Sequence, residues 1–269
     1  MDGASTDDHA FGLMEPLWAA PVTAAVLTDF DGTLSPIVAD PGLARALPGA
    51  PDVLRRLAEK FAAVAVVSGR PVTFLARQLA AAGPAVRLYG VYGLEWWDEG
   101  EVHVVPEAEP WVARAAEVVA AAVGQAPPGV GVEAKGAALA IHWRRAPEAG
   151  AWAQAFAEDW AERTGLLLQP GRRALELRPP LSIDKGQVVE AVAGHCSSAC
   201  FVGDDAGDLP AFAALDRLAR RGVDVVRVAV ADEESPPELV EAADVVIAGP
   251  VEALALLDRI ATVAATADG

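Results

Sequence analysis

The residues of this chain best suited to chemistry begin with Asp29-Phe30-Asp31-Gly32-Thr33, which follows a short apolar run from Ala24 to Leu27. The run reads as a buried strand. Alternate residues of a strand share a face, so Asp29 and Asp31 leave it pointing the same way. Gly32 lets the backbone turn tightly beyond them, and Thr33 adds a hydroxyl. Two carboxylates held this close either share a proton or share a cation. An acidic turn after a strand has the same local look, so the reading depends on matching pieces elsewhere.

Matching pieces follow. Ser68 ends a second apolar run and leads into Gly69 and Arg70; Lys185 opens a helical segment; Asp204, Asp205 and Asp208 follow a third run. Gathered at one sheet edge, this set fits phosphoryl transfer to a carboxylate. Such a transfer needs in-line attack and neutralised equatorial oxygens. An Asp attacks and forms an aspartyl-phosphate, which splits hydrolysis into two steps. A hard divalent cation, Mg2+ before others, bridges carboxylates and a phosphoryl oxygen. Ser68 donates a hydrogen bond to the phosphoryl group and Lys185 places a positive charge on it. Asp31 is positioned to protonate the leaving oxygen and then to take a proton from water. Thr33, Gly69 and Arg70 complete the candidate phosphate-binding set.

These residues need elements to hold them. Strands are expected at Ala24 to Leu27, 62–67, 86–89, 199–202, 223–230 and 244–247, with helices over 51–60, 71–82, 185–193, 209–218 and 251–262. Strands alternating with helices in units of about 30 residues predict an α/β fold with a doubly wound parallel sheet, Rossmann-like, with ligands beyond the carboxyl ends of its strands. The middle differs. A hairpin over 94–104, helices over 107–123 and 147–163, and short strands at 130–135, 139–144, 166–169 and 174–177 predict an inserted α+β unit with an antiparallel sheet. The expected division is a loosely attached tail over 1–20, a catalytic core from 21–105 and 179–269, and an inserted cap domain over 106–178.

Composition bounds the rest. The chain has 269 residues, 53% of them hydrophobic, and a formal net charge of -17. That charge argues against nucleic acid or an acidic membrane surface as partner. An anionic substrate then has to be met by locally placed cations. No apolar run is long enough to span a membrane, and the N-terminus lacks a basic region followed by an apolar one, so no secretory signal is expected. Two cysteines, Cys196 and Cys200, form no spaced framework and read as reduced, which points to the cytoplasm. Eighteen arginines stand against three lysines, Lys60, Lys135 and Lys185. A lysine kept in such a background marks a place where a compact point charge is needed; Lys60, ending an amphipathic helix, is read as merely solvated.

The four motifs, in order and spacing, resemble those of the haloacid-dehalogenase-like hydrolase superfamily. Beyond them the chain is similar to trehalose-6-phosphate phosphatases from about residue 24 onward. The segments that carry the likeness are 29–37, Ser68-Gly69-Arg70, 89–95, 132–136 followed by His142-Trp143-Arg144, and Glu176-Leu177-Arg178-Pro179 leading to Asp184-Lys185-Gly186. The resemblance implies an Mg2+-dependent phosphatase with a mobile cap, acting on a small sugar phosphate in the last step of trehalose biosynthesis; a monomer is expected. It implies Asp29 as nucleophile and metal ligand, Asp31 as acid/base and metal ligand through its backbone carbonyl, and Asp204 as metal ligand. Two positions depart from the family pattern: Tyr92 stands where it often has His, and Gly207 where it often has Thr.

The insert supplies residues that suit a sugar phosphate. Glu133 and Lys135, His142 and Arg144, and Glu176 and Arg178 are each two apart, so each pair shares a strand face. Carboxylates accept from sugar hydroxyls and cations donate to them. A solvated outer face of a small sheet is the competing reading. Trp96, Trp97 and Trp143 suit sugar stacking but fit a core equally well. Other sugar phosphates, among them sucrose phosphate, glycosylglycerate phosphate and hexose phosphate, remain open on the motifs. A phosphorylation receiver domain is much shorter and lacks the insert. A silent sugar-phosphate binder is opposed by the intact Asp29, Asp31, Lys185 and Asp204.

Overall fold

The computed structural model describes residues 11–38, 40–171, 173–232 and 235–264. Contacts divide the chain into two compact units, Met1–Val102 with Ile183–Gly269, and His103–Ser182.

The first unit is built on strands β1 (Ala24–Thr28), β2 (Ala63–Val67), β3 (Val86–Gly90), β4 (Glu95–Asp98), β10 (Ser198–Gly203), β11 (Asp224–Ala231) and β12 (Val245–Ala248), with β5 (Glu101–Val104) at one edge of the sheet. Their order is β12-β11-β10-β1-β2-β3-β4-β5. The pairs from β12 to β3 are parallel, and β3 with β4 is antiparallel. Strand β1 is therefore central, with β10 and β2 as its neighbours.

All five residues of β1 and of β2 are buried. Alternation assigns them to two apolar layers. Val26, Val64, Val66, Val202 and Val228 face one layer, and Leu27, Ala65, Val67, Phe201 and Ala229 face the other. A sheet covered on both faces needs continuous apolar strands, which is how these segments read.

Helices α2 (Ala50–Ala58), α3 (Val72–Gln78) and α9 (Gly249–Val263) cover the first face; α6 (Lys185–Ala193), α7 (Leu209–Ala219) and α8 (Pro237–Ala242) cover the second. In α2 the buried positions are Val53, Leu54 and Leu57, the stripe expected from 3.6-residue periodicity. Each such side chain contributes about 1.5–3 kcal/mol by leaving water.

Three local expectations are corrected. Residues 11–20 are not a loose tail: Phe11, Met14 and Leu17 are buried in the first layer, α1 (Glu15–Ala19) forms, and Ser198 Oγ donates to the Pro16 carbonyl at 2.9 Å. Residues 1–10 of the expected tail lie outside the described residues. The helix expected to reach residue 82 stops at Gln78 and continues as a tight turn over Ala80–Ala82. Lys60 is half-buried, and its ammonium donates to the Ala261 carbonyl at the end of α9, 2.7 Å away. Charge at a helix C-terminus is favourable, so this lysine does more than meet solvent.

The second unit has a four-stranded antiparallel sheet, β6 (Gly131–Lys135), β7 (Ala138–His142), β8 (Leu167–Gly171) and β9 (Ala174–Arg178), in the order β6-β7-β9-β8. Helices α4 (Glu109–Gln125) and α5 (Gly150–Thr164) pack on one face, where Val118, Leu139, Ile141, Phe156, Leu175 and Leu177 meet. The register puts Glu133 opposite Ala140 and Ala140 opposite Glu176, so the other face carries the polar residues. Trp97 packs on the first unit's core and Trp143 on the second's. Both cysteines are free, and burial pushes the Cys200 thiol up to about 12, which leaves it inert.

Candidate active site

The carboxyl ends of three adjacent parallel strands carry the candidate chemistry. Asp29 follows β1, Asp204 follows β10 and Ser68 follows β2. The Asp29 N–H donates to the Val202 carbonyl at 2.8 Å, extending the β1–β10 ladder by one residue and fixing the carboxylate's origin. Ser68 is fixed likewise, its N–H donating to the Tyr89 carbonyl at 3.0 Å.

Lys185 is brought in by the start of α6. Asp184 caps that helix, accepting from the Gly186 and Gln187 amides. The Lys185 ammonium is 2% exposed and lies 2.7 Å from Asp208 Oδ1 and 3.0 Å from Asp29 Oδ1. Its bond to Asp208 is well aligned. Its approach to Asp29 is a charge contact only, so Asp29 Oδ1 is buried without a hydrogen-bond donor.

Asp208 organises the fourth loop. Its Oδ2 accepts from the Asp204 and Asp205 amides at 2.9 and 3.2 Å, while Asp205 caps the same turn through the Gly207 amide. Asp204 is turned toward the first loop. Gly32 has φ +74°, and a Cβ placed there would fall 2.0 Å from Asp204 Oδ2. Glycine is needed at this position for both conformation and space.

Asp31 faces elsewhere. The Arg70 guanidinium grips it through Nε to Oδ2 at 2.6 Å and a terminal nitrogen to Oδ1 at 2.8 Å. Arg70 also lies over the Phe74 ring at 4.8 Å, and Phe74 meets Phe30 edge-on. Thr33 is fully buried with a hydroxyl that has no hydrogen-bond partner.

Electrostatics sharpen the picture. Burial pushes the Asp29 carboxyl well above the usual carboxylate range, opposed by Lys185 and reinforced by Asp208, Asp205 and Asp31. Burial, then the charges of Asp29, Asp208 and Asp205, push Asp204 up to about 10. Asp208 is raised by burial against the pull of Lys185. Burial disfavours the Lys185 charge, but Asp208 and Asp29 outweigh it and hold its pKa well above the ordinary value. One cation thus serves a crowd of buried carboxyls.

Such a crowd suits a divalent cation. Asp29, Asp205 and Asp208 each offer an oxygen within 4.8 Å of the others, and Asp29 Oδ1 and Asp204 Oδ1 are both buried without hydrogen-bond partners. Hard oxygen donors in this number match Mg2+ chemistry, so the residues present fit the ion.

In the second unit, Glu133, Lys135, His142 and Glu176 gather on the sheet face opposite the helices, where Lys135 is itself buried. Lys135 Nζ lies 3.4 Å from Glu176 Oε1, and His142 Nε2 lies 3.1 Å from Glu133 Oε2. Arg178 reaches Gln169 on β8 instead, at 3.0 Å. Arg144 corrects its expected place: β7 ends at His142, and Arg144 lies exposed in the following turn.

Two features go beyond what the sequence shows of 89–95. Glu95 is buried, and its Oε2 accepts from the Val72 amide at 3.1 Å, capping the helix after Arg70. Burial pushes that carboxyl up, the Val72 bond opposing. Val91 and Tyr92 have φ of +47° and +61°. Left-handed conformations in non-glycine residues cost of order 1–3 kcal/mol each. Their amides donate to the Arg70 and Ser68 carbonyls, both at 2.9 Å. A β-branched residue at such a φ leaves no sequence signature.

Comparison with known proteins gives concordant results. A family model described as trehalose-phosphatase matches residues 27–239. A trehalose-phosphate phosphatase of Mycobacterium avium (strain 104) is 35% identical over 214 residues, 75% of this chain and 54% of that protein. One of Mycobacterium tuberculosis (strain ATCC 25618 / H37Rv) is 34% identical over 230 residues, 81% of this chain and 56% of that protein. This chain spans about half the length of these curated relatives. Among solved structures, a trehalose-6-phosphate phosphatase related protein superposes with a TM-score of 0.77 at 22% identity, covering 90% of this chain and 99% of that one. The C-terminal domain of the Candida albicans trehalose-6-phosphate phosphatase gives 0.74 at 21% identity, covering 94% and 96%. At these identities the two structures speak to the fold.

Proposed function

This chain belongs to the trehalose-phosphatase family, and we propose on that premise that it hydrolyses trehalose 6-phosphate to trehalose and phosphate through an aspartyl-phosphate. The observation that carries the reading is the meeting of Asp29, Lys185 and the Asp204–Asp208 turn, with Asp29 Oδ1 buried and without a hydrogen-bond donor. A nucleophilic carboxylate with an unused oxygen is what the first step requires.

In this proposal Asp29 attacks phosphorus and the bond from phosphorus to the sugar oxygen breaks. Asp31 gives its proton to the departing oxygen. It then takes a proton from water, which attacks the aspartyl-phosphate and frees phosphate and Asp29. Ser68, Lys185 and the backbone around Gly69 hold the non-bridging oxygens, with Thr33 supporting the first loop. Asp29, Asp204 and the Asp31 backbone carbonyl would hold Mg2+, with Asp205 and Asp208 beside them. Bound there, the ion neutralises charge on the phosphoryl oxygens. Arg70 has to release Asp31 before that carboxyl can carry a proton, and an incoming phosphate dianion is a natural competitor for the guanidinium fork.

Reading of the disaccharide is assigned to Glu133, Lys135, His142, Arg144 and Glu176. We further take the protein to be a cytoplasmic monomer; among the described residues no helix is long and apolar enough to cross a membrane. The test is phosphate release from a panel of sugar phosphates, with and without Mg2+. Trehalose 6-phosphate should give the highest kcat/KM and a chelator should abolish it. Preference for sucrose phosphate, a glycosylglycerate phosphate or a hexose phosphate would displace the substrate assignment, and no turnover at all would leave a sugar-phosphate binder.

A further inference from the structure

We infer that Tyr92 is a positioning residue, its ring a spacer between the loop that bears Ser68 and Arg70 and the loop that bears Asp204 to Asp208. The inference rests on the phosphatase reading above and adds a residue to which no role in the reaction has so far been given.

Its geometry is specific. A Cβ built on Gly69 would fall 2.7 Å from Tyr92 Cζ and 2.8 Å from its hydroxyl oxygen, so the outer end of the ring lies directly on Gly69. A Cβ built on Gly207 would lie 3.6 Å from Tyr92 Cε1, an ordinary contact distance. The ring therefore lies directly on Gly69 and comes within about a methyl group of Gly207 in the other loop. Gly69 presents bare backbone to it; beside Gly207 the ring shares the space with Asp205 Oδ1, 2.9 Å from the same Cβ point.

The backbone beneath the ring is built to aim it. Gly90, Val91 and Tyr92 run along the second loop, with the Val91 and Tyr92 amides bonded to the Arg70 and Ser68 carbonyls. Gly90 lies so close to that loop that a Cβ would fall 2.3 Å from the Val72 nitrogen. Glu95 then pins the Val72 amide. The left-handed turn at Val91 and Tyr92 is thus held from several directions, and strain kept at a site by surrounding bonds usually serves the site. Here it delivers an aromatic ring to the gap between two loops whose polar groups must grip the same phosphoryl group. In-line transfer depends steeply on that spacing.

The role has consequences that loss of stability alone does not. Removing the ring should slow the chemical step on every phosphomonoester, because the phosphoryl pocket and not the sugar contact is disturbed. Y92A should lower kcat about tenfold or more on both trehalose 6-phosphate and 4-nitrophenyl phosphate, with KM changed by less than about threefold. It should weaken inhibition by orthovanadate, a mimic of the five-coordinate phosphoryl group, by a similar factor. Y92F, which keeps the ring, should stay close to wild type.

Unfolding supplies an independent readout. G69A should lower Tm in the wild-type background, where the new methyl meets the ring, and lower it less in Y92A; equal losses would overturn the contact. An active wild type with an indifferent Y92A overturns the inference alone. So does a loss confined to the sugar phosphate, or a Y92F as impaired as Y92A. A wild type inactive on both substrates overturns the phosphatase reading and this inference with it. Should Y92A fail to fold, Y92L carries the same comparison, and a Y92L equal to wild type in kcat and in vanadate inhibition overturns the spacer role.

Discussion

Arg70 and Asp31 form a two-pronged ion pair, 2.6 Å from Nε to Oδ2 and 2.8 Å from a terminal nitrogen to Oδ1. A carboxylate held by a planar fork accepts twice and has no proton to give. The proposed acid is therefore sheathed in this state, and its partner is a cation suited to phosphate. D31N should cut turnover of trehalose 6-phosphate by about a hundredfold to ten-thousandfold, the usual weight of a general acid/base. 4-Nitrophenyl phosphate needs no acid to expel its good leaving group. It should give a burst of nitrophenol matching the enzyme concentration and then stall. A steady rate without a burst on that substrate would remove Asp31 from the second step.

D29N should abolish release of phosphate from every substrate while leaving the far-UV circular dichroism unchanged. Retention of substantial activity would take the nucleophile role from Asp29.

Lys185 answers two buried carboxyls, Asp208 and Asp29. K185M leaves them without their cation, and removal of one partner of a buried pair costs about 3–5 kcal/mol. Urea unfolding of the metal-free protein should show a loss of that order. A change under about 1 kcal/mol, the scale of an exposed pair, would mean the charges are screened by solvent.

The raised carboxyls also predict a pH dependence. The folded chain binds protons at Asp29, Asp204 and Asp208 more tightly than the unfolded chain does. Stability from this source is complete below the ordinary carboxylate range and falls as pH rises toward the folded value, about 10 for Asp204. With a chelator present, Tm should drop between about pH 5 and pH 9. Mg2+ competes with those protons, so its stabilisation should grow over the same range. A flat Tm in chelator, or an Mg2+ effect that shrinks with pH, would contradict a carboxylate-held cation.

For the second unit, E133A/K135A should reduce kcat/KM for trehalose 6-phosphate far more than for 4-nitrophenyl phosphate. Equal losses on both would show that these residues do not read the sugar.

Much of the first unit was legible because its signals are local. Ala24 to Thr28 and Ala63 to Val67 are apolar without interruption, and a carboxylate or a serine follows at once, so strand and site were read together. Less visible was whatever depends on distant partners. Nothing near Arg70 announces that it will grip Asp31, since that pair is made only when β1 and β2 lie side by side and their following loops meet. Phe11, Met14 and Leu17 carry a helical spacing, yet the polar stretch before them makes residues 1–20 read as one loosely attached tail. Arg144 followed the alternating pattern of β7, and only the turn after His142 breaks it. Tyr92 stood out as a departure from a family pattern, while its left-handed backbone is a tertiary outcome.

The space beside Gly32 has one further implication. A side chain there would occupy the volume now filled by the Asp204 carboxylate. The opening loop and the fourth loop are thus a single design unit despite the long stretch of chain between them. Anyone re-engineering the first for a new reaction inherits a decision about the second.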